Sequence, residues 1–96
     1  RSYATHKTPD EYIEEITEQF ATAKDEFEIA AEETDKKSIY AADDRTAARE
    51  ELDRLKLLYE GAVRNGGGEE VQRRVGHRIR ELEQAVEALE KKGLED

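Results

Sequence analysis

The sequence predicts an all-α fold: a three-helix bundle, or antiparallel helical hairpin with a third helix, joined through coiled-coil-like a/d seams. Three observations carry the prediction. Apolar residues recur at alternating steps of three and four in three separate segments, which is the spacing that keeps one stripe of a helix facing a neighbour. No segment sustains the period-2 alternation of a half-buried strand. Helix start and stop residues also punctuate the chain where the seams begin and end.

In the first segment Ile13, Ile16, Phe20, Ala23, Phe27 and Ala30 form the seam. Its start is marked by Thr8-Pro9-Asp10-Glu11, a capping box with proline at the first helical position, where no backbone N–H is required. Asp10 and Glu11 face the positive end of the helix dipole. The first helix is expected over residues 9–34. Extending its seam lands on Thr34, Lys37, Ala41 and Asp44, mostly polar positions. A break is therefore expected around residues 35–43, with Ile39 and Tyr40 packing as an apolar plug and Asp43 or Asp44 capping the next helix. The alternative is one continuous helix, since no Gly or Pro occurs between Pro9 and Gly61.

The second helix is expected over 43–64, on Ala48, Leu52, Leu55, Tyr59 and Ala62, and Asn65-Gly66-Gly67-Gly68 turns the chain. The third is expected over 69–92, on Val75, Ile79, Leu82, Val86 and Leu89, with Lys91 and Lys92 at its negative end and Gly93 closing it. Leu57, Leu58 and Val71 broaden the stripes toward a globular bundle. Gly76 inside the third helix costs about 1 kcal/mol relative to alanine, which points to close approach by a neighbour such as Phe20 or Phe27. Residues 9–93 form one domain, 1–8 a flexible N-terminal tail and 94–96 a C-terminal tail.

Composition narrows the functions. Of 96 residues, 43% are charged and 35% hydrophobic, and twelve of the hydrophobic ones are alanine. Only 18 are Leu, Ile, Val or Phe, so the core is small and the chain borders on the composition of disordered segments. Zero cysteines exclude disulfides and thiol chemistry. No apolar run reaches the roughly 18 residues of a membrane span. A net charge of −9 opposes a phosphate backbone, so no nucleic acid is expected as a partner.

The charge is uneven. Residues 9–35 hold eleven acids and one lysine. Glu11, Glu14, Glu15, Glu18 and Asp25 make a candidate acidic face for a basic protein partner. Arg73, Arg74, Arg78 and Arg80 make a candidate anion-binding or salt-bridging cluster. If the first and third helices run parallel, this cluster lies near the acidic start of the first helix, and mutual neutralisation explains both patches.

No catalytic or metal-binding residues are expected. His6 and His77 are the only histidines, and His77 stands among arginines; zinc requires three or four clustered ligands. Carboxylate pairs such as Glu14/Glu18, Glu28/Glu32 and Glu83/Glu87 follow from a charge-rich helix and lack the burial that general acid–base work needs. Glu-x-x-His motifs for a di-metal bundle are absent. Asp35 to Asp44 fails the calcium-loop pattern at Lys37 and Ile39. Gly66-Gly67-Gly68 has neither the preceding strand nor the Lys-Ser/Thr of a phosphate loop. No cofactor is expected.

Arg1-Ser2-Tyr3-Ala4-Thr5 resembles the end of a mitochondrial presequence, with an arginine two positions before an aromatic and then a small residue. That resemblance implies a mitochondrial location; the alternative is a tail of a cytoplasmic protein. The chain is thus expected to be a non-catalytic, acidic helical interaction module, an accessory or regulatory subunit of a mitochondrial assembly. Two other readings stand beside it: a structural protein self-associating through its a/d seams, and a helical bundle binding a small ligand or anion.

Overall fold

The computed structural model describes residues 7–95. Three helices follow in order: α1 (Pro9–Lys36), α2 (Ala41–Ala62) and α3 (Gly68–Leu94), with a π-helical turn at Val63–Gly67 joining the last two. They form an elongated bundle of 53 × 24 × 16 Å. Arg74 at the start of α3 meets Asp10 at the start of α1, and Lys92 near the end of α3 meets Asp35 near the end of α1. α1 and α3 are therefore parallel, with α2 antiparallel to both.

The capping box at Thr8 is fully formed. The Glu11 N–H donates to Thr8 Oγ1 at 3.2 Å, and the Thr8 N–H donates to Glu11 Oε1 at 2.8 Å. At its other end α1 runs two residues beyond the expected boundary. Thr34 looks like a polar interruption of the seam, yet it is 1% exposed, and its hydroxyl accepts a 2.9 Å hydrogen bond from Arg45 Nη1. A satisfied hydroxyl can occupy a core position at little cost.

The chain then reverses through Lys37 in the left-handed conformation (φ 56°, ψ 39°), and the Ser38 N–H returns to the Glu33 carbonyl at 3.2 Å. This is the hydrogen-bond pattern of a glycine-terminated helix, built here on lysine. The break comprises residues 37–40, within the expected stretch but shorter. α2 starts at Ala41, not at residue 43, so Asp43 and Asp44 sit in its first turn and do not cap it. The Ser38 hydroxyl instead accepts from the Tyr40 N–H at 3.1 Å and donates to Glu33. Ile39 and Tyr40 form no plug: they are 87% and 63% exposed, because so tight a turn points them away from the helices.

The predicted seams supply the core. Ile16, Leu52, Leu55, Val71 and Val86 are fully buried, and Ile13, Ala23, Ala62, Val75, Ile79 and Leu82 complete the main cluster, with Phe20, Phe27 and Tyr59 half-buried against it. Toward the α1–α2 turn the core narrows to Ala30, Ala48 and Leu89. Of the residues expected to broaden the stripes, Val71 is buried, whereas Leu57 is 69% and Leu58 38% exposed.

α3 continues past the expected boundary to Leu94, so residue 94 is not part of a tail and Gly93 does not close the helix. Gly93 lies under Arg45, whose guanidinium would collide with a Cβ placed there. Gly76 is likewise an approach point, but for Tyr59 and not for a phenylalanine: the Tyr59 hydroxyl oxygen lies 2.8 Å from where a Cβ would be, and the ring carbon bearing it 3.6 Å. Gly66 is the joint of the second turn, at φ 135°, a conformation that side-chain-bearing residues rarely adopt.

These distances give a double-substitution cycle. G76A alone is expected to be neutral or destabilising, because its methyl meets the Tyr59 hydroxyl. In a Y59F background the nearest ring atom is at ordinary contact distance, and G76A should then stabilise by about 1 kcal/mol through helix propensity. Urea unfolding of the four proteins measures the difference; equal effects of G76A in both backgrounds would contradict the steric account.

Candidate interaction surfaces

The acidic candidates lie on one face. At 3.6 residues per turn, Glu11, Glu14, Glu15, Glu18 and Asp25 span an arc of roughly 100° on α1, opposite the stripe of Ile13, Ile16 and Ala23. Their surroundings differ. Glu11 is engaged in the capping box. Glu15 is ion-paired with Lys7, whose ammonium also lies 5.6 Å from the centre of the Tyr12 ring; the hydrogen bond to Glu15 holds the exposed Lys7 pKa above its ordinary value. Glu14, Glu18 and Asp25 are exposed and have no ion-pair partner among the described residues. A shallow groove beside this face is lined by Glu15, Glu18, Gln19, Thr22 and Leu58.

The four arginines do not converge. Arg74 reaches Asp10 at 3.1 Å and Glu70 at 3.2 Å, contacts that raise its pKa. Arg73 pairs with Glu70 at 2.9 Å. Arg78 turns toward α1 and stacks on Phe20, 4.6 Å from the ring centre. Arg80 shares an open groove with Tyr59, Glu69, Gln72 and Arg73. Contact between the cluster and the acidic start of α1 is thus made by Arg74 alone. His77 pairs at 3.0 Å with Glu81 on the outer side of α3, and His6 and the Arg1–Thr5 stretch lie outside the described residues.

The strongest polar geometry lies between α2 and α3. Arg49 makes a two-point contact with Glu90, Nε to Oε2 at 2.8 Å and Nη2 to Oε1 at 2.7 Å. One heptad further along α2, Lys56 meets Glu83, one heptad earlier on α3, at 2.6 Å. Arg49 and Lys56 are seven apart, as are Glu83 and Glu90, so the chain itself carries the signature of an antiparallel ladder beside the seam. The sequence reading missed it because it weighed charge by segment and not by heptad position. On the α1–α2 side Gln19 Nε2 donates to the Glu51 carbonyl at 2.9 Å and to its carboxylate at 2.8 Å.

The bundle offers shallow surface grooves, such as one between α2 and α3 lined by Ala42, Arg45, Arg49, Glu90, Gly93 and Leu94. Among the described residues no group of His, Asp or Glu is arranged to hold a metal ion, and no helix is long and apolar enough to cross a membrane. The a/d seams face one another within a single chain, so two copies could meet through them only by opening the bundle.

A family model described as the embryogenesis-like protein helical domain matches residues 10–91. The chain belongs to this family. The embryogenesis-like helical domain begins one residue into α1 and ends in the last turn of α3, so it coincides with the three-helix unit. No curated protein and no solved structure matches the chain.

The two-point contact governs how stability depends on acid. Hydrogen bonding from Arg49 lowers the Glu90 pKa below its ordinary value of 4.5, and the same contact raises that of Arg49. A carboxylate with a lowered folded-state pKa contributes stability that is fully present at neutral pH. That stability is lost as pH falls through the lowered value. E90Q should cost about 1 kcal/mol at pH 7, allowing for solvent screening of a half-exposed pair. Urea midpoints of E90Q and the parent protein should converge as pH falls through the lowered Glu90 value, beyond which both carry a neutral side chain.

Proposed function

We propose that this embryogenesis-like helical domain is a non-catalytic interaction module whose α1 carboxylates bind a basic protein surface. The observation that carries the reading is the state of Glu14, Glu18 and Asp25: exposed, on the face opposite the core, and without an ion-pair partner among the described residues. By contrast, Asp10, Glu51, Glu83 and Glu90 are paired within the fold. Clustered like charges on a helix repel one another, and a cationic partner relieves that repulsion while its approach is accelerated by the field. The further step, an accessory or regulatory subunit of a mitochondrial assembly, rests on the likeness of Arg1-Ser2-Tyr3-Ala4-Thr5 to a presequence end.

The E14K/E15K/E18K variant should fold as the parent does, since each position is on the outer side of α1. In a pull-down it should lose the proteins that the parent retains, and the parent's own retention should weaken as salt is raised. An unchanged bound set at low salt would refute the acidic-face reading.

A further inference from the structure

The outer side of α2 carries a second, unpartnered face. Glu50, Arg54, Leu57 and Gly61, continued by Arg64 in the π-helical turn, step by 4, 3, 4 and 3 along the side opposite the buried Ala48, Leu52, Leu55 and Ala62. All but Gly61 are exposed, Gly61 being half-buried, and Leu58 flanks Leu57 toward α1. A seam with the period of a packed helix, turned away from the core, needs an occupant to explain it. The order of its charges says which one.

We propose that this face is the contact of a homodimer in which the α2 helices of two copies cross antiparallel, with Leu57 at the two-fold axis. Glu50 lies seven residues before Leu57 and Arg64 seven after. Reversing one helix about Leu57 sets Glu50 of each copy against Arg64 of the other, so the pairing forms twice. A parallel arrangement would set glutamate on glutamate and arginine on arginine. Self-complementarity under reversal is what an isologous interface requires, and a surface shaped for an unrelated partner has no reason to possess it.

The intervening residues fit the same register. Leu57 and Leu58 meet their counterparts at the axis, forming a cluster of four leucines. Gly61 has nothing within 4 Å of the position a Cβ would take, which leaves a notch three to four residues from the axis. Arg54 of the second copy arrives at that height and can lay its aliphatic stem there. The groove beside Leu58 is lined by Glu15 and Glu18, so the incoming guanidinium is met by carboxylates. Glu50 and Arg64 have no ion-pair partner among the described residues. Arg54 is tied only to Glu51, within its own helix and largely exposed, a bond that exchanges at little cost.

The face extends about 21 Å along α2 and into the turn that follows it, which places the contact among small, reversible interfaces. It draws on Glu15 and Glu18 of the acidic face and leaves Glu14 and Asp25 of both copies accessible. Substitutions at Glu50 and Arg64 touch none of these four, so its failure and that of the acidic-face reading are distinguishable. Sedimentation equilibrium on the whole chain, from about 10 μM to about 1 mM, tests it. The parent protein should pass reversibly from 11.0 kDa toward twice that mass. E50R and R64E, each at an exposed site, should separately raise the dissociation constant by about tenfold or more, because each creates two like-charge contacts per dimer. The E50R/R64E double variant recreates both pairs with reversed polarity and should return to within about threefold of the parent. Circular dichroism checks that each variant is folded. A parent protein that remains at 11.0 kDa throughout overturns the proposal. So does a dimer that neither single substitution weakens, or one that the double variant fails to restore.

Discussion

Small side chains along α1 and α2 allow the two helices to approach closely, and much of the fold follows from that approach. Ala23, Ala30, Ala41 and Ala48 are buried, and Thr34 joins them with its hydroxyl satisfied by Arg45. The distance between packed helices depends on the side chains at the contact, so alanine buries backbone and Cβ surface where leucine would bury its own bulk. A chain with only 18 large aliphatic and phenylalanine residues can form a core this way. The bulky residues are then concentrated where α3 enters, around Ile16, Leu52, Leu55, Val71 and Val86.

α3 is fastened to this hairpin by a different device. Two glycines inside it receive side chains from α2: Gly76 takes the Tyr59 hydroxyl and Gly93 the Arg45 guanidinium. Between them run the Arg49–Glu90 and Lys56–Glu83 contacts, in one antiparallel register. The helix-propensity cost of Gly76 in the helix interior, about 1 kcal/mol, is set against a contact that a Cβ would obstruct, whereas Gly93 stands in the last turn. Arg45 serves two neighbours at once, reaching Thr34 on α1 and lying on Gly93 of α3, and so ties all three helices near the α1–α2 turn.

Periodicity in the sequence was sufficient for the number of helices, their seams and the capping box at Thr8, because each of these is written within a few neighbouring residues. The α1–α2 turn was harder to read. Its left-handed residue is Lys37 and not glycine, and its hydroxyl ligand is Ser38 and not Asp43, so neither of the usual markers was present. Ile39, Tyr40 and Leu57 looked like core residues by type, and only the tertiary arrangement shows that they face outward. Of the candidate surfaces, the acidic face was legible as five carboxylates on one side of a helix. The arginine cluster was legible only in part: Arg73 and Arg74 form the salt bridges expected of it, sharing Glu70, but successive helical residues point in different directions, and Arg78 turns away to Phe20.

An odd number of helices has a mechanical consequence. Pro9 and Leu94 stand at opposite ends of a body 53 Å long. Tension applied between them is directed along the helix axes, and it shears α1 and α3 past α2. All the seam contacts between α2 and its neighbours are then loaded together, whereas an even-numbered bundle, with both ends at one pole, would be peeled apart contact by contact.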